Sequence, residues 1–251
     1  MNITVNGYNT YYTDEGQGEP IVFLHGWGSS CDAFARMVIP LKERYRCIRV
    51  DLPGFGKSDM LKTPFTLEDY CDFVKAFLDA LGLSNPIMFG HSNGGRITLK
   101  MCAENMVCPP KIVLFGSAGI RSKRSMKSRV RTRTYKIIKG ALTLPIVRNF
   151  TQDALEVARN HFGSADYRNA PPVLRQTLVN LINVDLREIL PNIKASTLLI
   201  WGECDTETPL SHAKVIESKI KDCGLCVLEG GSHFAFVEQP ARVDAILKSF
   251  L

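Results

Sequence analysis

The chain has 251 residues and a mass of 28.0 kDa, enough for one generous domain that buries roughly 70–75% of its unfolded surface without metals or disulfides. Hydrophobic residues at 45% and charged residues at 22% exclude wholesale disorder and fibrous repeats, and no apolar run approaches the roughly 18 residues of a membrane span. Net charge is +6, yet residues 121–149 hold ten Lys or Arg and no acid; the rest of the chain has 21 basic against 25 acidic residues, so the excess belongs to one segment and does not argue for general nucleic-acid affinity.

Residues 1–7 have neither a basic start nor an apolar core, so the expectation is a soluble, cytoplasmic protein with reduced thiols. The eight cysteines are scattered, several of them inside apolar stretches. Cys223-Gly224-Leu225-Cys226 has redox or half-zinc spacing, but no second pair and no nearby histidine completes a ligand set, so neither a metal nor a cofactor is expected.

In chain order, Ile3–Val5 and Tyr8–Tyr12 alternate around Asn6-Gly7 and read as a hairpin. Ile21–Leu24 is a continuous apolar run ending in His25-Gly26, as in a strand buried on both faces, and Cys47–Val50 is a second, ending at Asp51. Thr66 is placed to cap a helix whose apolar positions (67, 70, 71, 74, 77, 78 and 81) follow a 3.6 period until Gly82 stops it. Pro86–Phe89 is the next strand, Asn93–Asn105 the next helix and Ile112–Phe115 the strand after it. From 120 to 193 the alternation breaks: the pattern is helical and basic at first, with interruptions at Gly140, Pro145, Gly163 and Pro171-Pro172. It resumes with strand Thr197–Trp201, helix Leu210–Lys221, strand Leu225–Leu228 and helix Arg242–Leu251. Buried strands alternating with helices imply an α/β fold: a mostly parallel sheet covered on both faces, built from 1–119 and 194–251, with 120–193 as a helical insertion over its carboxyl edge, where such folds bind ligands.

Gly90-His91-Ser92-Asn93-Gly94 matches G-x-S-x-G directly after an apolar strand and at the start of a helix, so Ser92 falls on a sharp strand-to-helix turn. A serine hydroxyl needs a base, and the chain has five histidines. His25 and His91 sit at strand ends beside glycine; His161 and His212 lie in helical surroundings and read as surface or cap residues. His233 follows the last apolar strand on the glycine loop Gly230-Gly231-Ser232 and emerges at the same sheet edge as Ser92, which makes it the candidate base. Trp201-Gly202-Glu203-Cys204-Asp205 leaves the penultimate strand at that edge; Asp205 is the preferred orienting carboxylate, with Glu203 and Glu207 as alternatives.

With these motifs the chain resembles the α/β-hydrolase superfamily along essentially its whole length. His25-Gly26-Trp27-Gly28 looks like the family's oxyanion loop, residues 51–58 (Asp-Leu-Pro-Gly-Phe-Gly-Lys-Ser) like its second-strand signature, and 90–95 like its nucleophile elbow; 201–205 and 231–233 match the acid and base loops. Residues 51–58 are no phosphate loop, because Asp51 stands where that motif requires glycine. The resemblance implies an oxyanion hole formed by the backbone N–H groups of Trp27 and Asn93. Epoxide hydrolases and haloalkane dehalogenases of the superfamily carry Asp where Ser92 stands, which disfavours both. The Trp after His25-Gly26 and the Asp-Leu-Pro-Gly-Phe-Gly signature look most like small carboxylesterases, including those that demethylate pimeloyl-carrier-protein esters, although His91 stands where these commonly have Trp.

The function expected is therefore hydrolysis of a small-molecule carboxylic ester, with C–C bond or thioester cleavage on the same triad, or a slow-turnover ligand receptor, as rivals. His25, His91 and Phe234 are candidate substrate contacts. Met126, Val130, Thr134 and Ile138 at i+4 spacing make 121–149 a basic amphipathic helix: a solvated cap helix, a membrane-surface element, or a docking element for an anionic ester or an acidic carrier protein, with Arg129, Arg131 and Arg133 as its candidate contacts.

Overall fold

The computed structural model describes residues 1–121 and 165–251. Its strands form one eight-stranded sheet in the order β1-β2-β4-β3-β5-β6-β7-β8. β1 (Asn2–Val5) and β2 (Tyr8–Glu15) pair antiparallel, and the two residues between them, Asn6 and Gly7, both have positive φ (48° and 77°), the primed turn that matches strand twist. β2 pairs antiparallel with β4 (Tyr45–Val50); β4 with β3 (Glu19–Leu24), and then β5 (Ile87–His91), β6 (Lys111–Phe115), β7 (Ser196–Gly202) and β8 (Cys223–Leu228), are all parallel.

Alternate residues of each strand serve opposite faces. Val22, Leu24, Ile48, Val50, Met88 and Leu114 pack beneath α2 (Leu67–Ala80), α3 (Asn93–Ala103) and α6 (Leu210–Lys219). Ile21, Phe23, Cys47, Phe89, Val113 and Phe115 face α1 (Ala35–Leu41), α7 (Ala235–Glu238) and α8 (Pro240–Phe250). Two covered faces explain why these strands read as unbroken apolar runs. The parallel sheet and its two helical layers are as expected.

The strands expected at Ile21, Cys47, Ile87, Ile112, Thr197 and Leu225 and the helices after Thr66, Ser92 and Pro209 all form. The differences are local. α1, unforeseen, is seven residues long with Pro40 inside it, too short to display a period; a 3-10 turn at Cys31–Phe34 leads into it, with Ser30 Oγ accepting from the Asp32 N–H. α3 ends at Ala103, and Asn105, at φ 56°, takes the left-handed position after it. His212, expected at a surface or cap position, is buried, because α6 turns His212, Ala213 and Ile216 inward. Cys223 and Cys226 lie on β8, and all eight cysteines are unbridged; residues three apart on a strand point to opposite faces, which disposes of the redox-pair spacing.

Arg129, Arg131, Arg133, His161 and all but the first residue of the basic helix expected over 121–149 lie outside the described residues. The rest of the expected insertion comprises α4 (Ala165–Asn169), α5 (Pro172–Ile182) and a 3-10 turn at Leu190–Asn192. α5 is seated on the loop before α2: Phe65 N–H donates to Thr177 Oγ1 and Asn180 Nδ2 to the Phe65 carbonyl, both at 2.9 Å. Leu186 N–H then bonds the Gly119 carbonyl at 2.9 Å, closing the described insertion onto the end of the first core segment.

A reciprocal capping box starts α2: Asp69 N–H donates to Thr66 Oγ1 at 3.2 Å, and Thr66 N–H to the Asp69 carboxylate at 2.7 Å. Thr66→Ala is expected to cost about 1 kcal/mol, read as a lower urea midpoint at unchanged slope, while Thr66→Ser stays near the parent. Equal midpoints for parent and Thr66→Ala would show that tertiary packing alone sets this helix start.

Candidate active site

Four loops leaving the carboxyl ends of parallel strands converge on one edge of the sheet. After β5, Ser92 adopts φ 50° and ψ −111°, a backbone conformation that side-chain-bearing residues rarely occupy. Its neighbours impose it. Ser92 N–H donates to the Phe115 carbonyl at 3.0 Å, while the Ser92 carbonyl accepts from Arg96 and Ala118 N–H at 3.1 and 2.9 Å. A Cβ on Gly94 would sit 2.0 Å from the Leu24 carbonyl oxygen, so only glycine lets α3 start this close to β3.

The loop after β3 lies directly against this turn: a Cβ on Gly26 would be 2.8 Å from His91 Nδ1 and 3.1 Å from Ser92 Cβ. Among the described residues the N–H groups of Trp27 and Asn93 have no acceptor, the second because it opens a helix. His25 fixes the loop. Its Nδ1–H donates to the Gly26 carbonyl at 2.7 Å and its Nε2 accepts from Leu52 N–H at 3.0 Å, so both nitrogens are spent on backbone and none is left for a substrate. The Trp27 ring packs edge-on against Phe55 at 4.9 Å.

Beyond β7 and β8, Asp205 Oδ2 and His233 Nδ1 are 2.8 Å apart. Asp205 Oδ1 accepts from the N–H groups of Glu207 and Thr208, both at 2.9 Å, an Asx-type turn that fixes the carboxylate plane. Thr208 Oγ1 lies 2.8 Å from Oδ2, 2.9 Å from the Gly116 carbonyl and 3.3 Å from His233 Nδ1. Burial pushes the Asp205 carboxyl up, but the bonds from His233 and Thr208 outweigh it and hold the group below the ordinary carboxylate value. Among the described residues neither alternative carboxylate bonds His233: Glu203 accepts from Gly230 N–H at 3.0 Å, and Glu207 gives its backbone N–H to Asp205. Among the described residues no hydrogen bond joins Ser92 Oγ to His233; such contacts are often long before substrate binds.

His91 links the two halves. Its Nε2–H donates to the His233 carbonyl at 3.2 Å, and its ring centroid is 4.7 Å from that of His233 and 4.9 Å from those of Phe234 and Phe236. The ring is buried, which makes it a tether between the Ser92 turn and the His233 loop; Phe234 is 42% exposed and remains open to a ligand.

Two residues here escaped sequence reading. Thr208 has a weak signal, an acid and then a hydroxyl just before a helix-initiating proline; Arg96, which touches Asn93, has none. No group of three or more His, Cys, Asp or Glu that could hold a metal occurs among the described residues.

Residues 19–116 match the family model for the alpha/beta hydrolase fold. The chain has the α/β-hydrolase fold. It is 28% identical to the AB hydrolase superfamily protein YisY of Bacillus subtilis (strain 168), covering 96% of this chain and 94% of the relative. It is 25% identical to the 2-hydroxy-6-oxo-6-phenylhexa-2,4-dienoate hydrolase of Burkholderia cepacia (98% and 92%). The esterase EaEST of Exiguobacterium antarcticum superposes with a TM-score of 0.77 at 26% identity, covering 99% of this chain and 98% of that one. No helix among the described residues is long and apolar enough to cross a membrane.

Burial, with the charge of His233 second, lowers the His91 pKa from 6.5 to about 3. Unfolded, His91 takes up a proton near 6.5; folded, it resists down to about 3, so its contribution is complete above 6.5 and is lost as pH falls toward 3. Burial shifts His25 in the same direction. Stability from urea unfolding should therefore fall between pH 7 and 4.5, and more shallowly in His91→Phe; parallel pH profiles for parent and variant would contradict a buried, neutral His91.

Proposed function

We propose that this chain is a serine hydrolase of the α/β-hydrolase superfamily that cleaves carboxylic esters of small molecules through an acyl-enzyme. The observation that carries the reading is the 2.8 Å Asp205–His233 pair at the sheet edge that also presents the strained Ser92 turn. In this reading Ser92 Oγ attacks the ester carbonyl carbon as His233 Nε2 takes its proton. Asp205 holds the Nδ1–H tautomer and balances the imidazolium charge. The N–H groups of Trp27 and Asn93 bond the oxygen as it becomes negative. His233 then protonates the leaving alcohol, activates a water for attack on the acyl-enzyme, and the acid departs.

Ser92→Ala should lower kcat on a short-chain nitrophenyl ester by at least about 10³-fold with the fold intact. Asp205→Asn should cost as much or less, and Glu203→Gln little. Undiminished turnover in Ser92→Ala would refute the nucleophile, and damage confined to Glu203→Gln would move the acid to that residue.

C–C bond cleavage on the same residues is the second reading, favoured by the Burkholderia cepacia relative. A vinylogous 1,5-diketone turned over faster than matched esters would favour it. A stoichiometric nitrophenol burst without steady turnover would instead mark a slow receptor.

A further inference from the structure

One turn along α3 from Ser92 stands a shielded cation with no acidic partner among the described residues. Arg96 Nη1 donates to Asn93 Oδ1 at 3.3 Å, its sole side-chain bond among the described residues. Its Nε is sealed from solvent with no acceptor, and so is Nδ2 of Asn93. Burial alone pulls the Arg96 pKa down to about 10. Lys100, one turn further along the same helix, bonds Glu104 at 2.5 Å and Glu68 at 3.1 Å, and Arg46 bonds Asp14 at 2.6 Å; Arg49, whose Nε is likewise without an acceptor, still bonds Glu15 at 2.7 Å through Nη2.

Buried donors ordinarily find acceptors, and a guanidinium is a fork of donors whose best partner is a planar anion with two oxygens. Here two adjacent side chains each keep an unused donor, one of them charged, and one belongs to the residue that follows Ser92. We propose that Arg96, with the Asn93 amide, recognises a carboxylate carried by the ester substrate, so that the preferred substrates are half-esters of dicarboxylic acids or their like. The inference rests on reading Ser92 as the nucleophile, since that is what makes the bound anion part of a substrate. It draws nothing from the basic run at 121–149.

The test compares parent, Arg96→Gln and Arg96→Lys on two esters of matched length, the nitrophenyl half-ester of glutaric acid and nitrophenyl valerate. It also measures thermal midpoints with free glutarate and with its uncharged diamide. The charged-to-neutral ratio of kcat/KM should fall at least about tenfold in Arg96→Gln, mainly through KM, and by less in Arg96→Lys. Glutarate should raise the midpoint of the parent but not of Arg96→Gln, and the diamide should raise neither. An unchanged ratio with brisk ester turnover would overturn the anion site and leave the hydrolase reading standing. Glutarate protection lost in Arg96→Gln, in a parent that cleaves neither ester, would keep the anion site and sink the hydrolase reading. Equal protection by glutarate and diamide would overturn the charge-based recognition. If Arg96→Gln fails to fold, the lower ratio expected of Arg96→Lys decides.

Discussion

Everything at the sheet edge depends on the backbone of Ser92 being held where a side-chain-bearing residue resists going, at φ 50° and ψ −111°. A conformation of this kind costs of the order of 1–3 kcal/mol and persists only when its surroundings over-determine it. The surroundings do so with backbone alone: the Phe115 carbonyl holds one side of the turn and the Ala118 N–H the other. The close passage of Gly94 beneath Leu24 then brings the helix start, with its free N–H groups, up against the serine. Bulk at that glycine would move the helix, the free N–H groups and the Arg96 guanidinium together.

The acid–base pair is organised on a different principle. Asp205 is a desolvated carboxylate kept charged by donors on every side: two backbone N–H groups, a threonine hydroxyl and an imidazole. Trp201 secures the same loop from below, its indole N–H donating to the Thr208 carbonyl at 2.6 Å. Charge and strain are thus placed on separate strands, and His91, neutral and buried, is the polar bond that ties their loops together.

Much of this was legible in the chain. Strands covered on both faces leave unbroken apolar runs, and the tight glycine spacing around Ser92 follows from two backbones passing close; both are local signals. Asp205 and His233 could be placed because each lies on a short loop leaving a strand end. What escaped was set by packing across the chain. His91 and His25 read as substrate contacts because nothing in a lone histidine beside glycine tells a buried backbone donor from an exposed ligand. His212 looked exposed because the inward face of α6 is short. Arg96 could not stand out, since its meaning lies in partners it lacks, and α1 is too short, with a proline inside, to show a period.

The parallel register has a temporal consequence. In a sheet of crossover connections, residues that meet in space are far apart along the chain; His91 and the His233 carbonyl it bonds are 142 positions apart. On the ribosome, the strained turn and its glycine contacts can form while the partner loop of His91 has yet to be synthesised, because Leu24, Phe115 and Ala118 all precede it. The imidazole that would activate the serine comes with β8, the edge strand and the last to join the sheet. On the proposed reading, a nascent chain therefore carries a shaped but unarmed serine, and chemistry would begin only when the edge of the sheet closes.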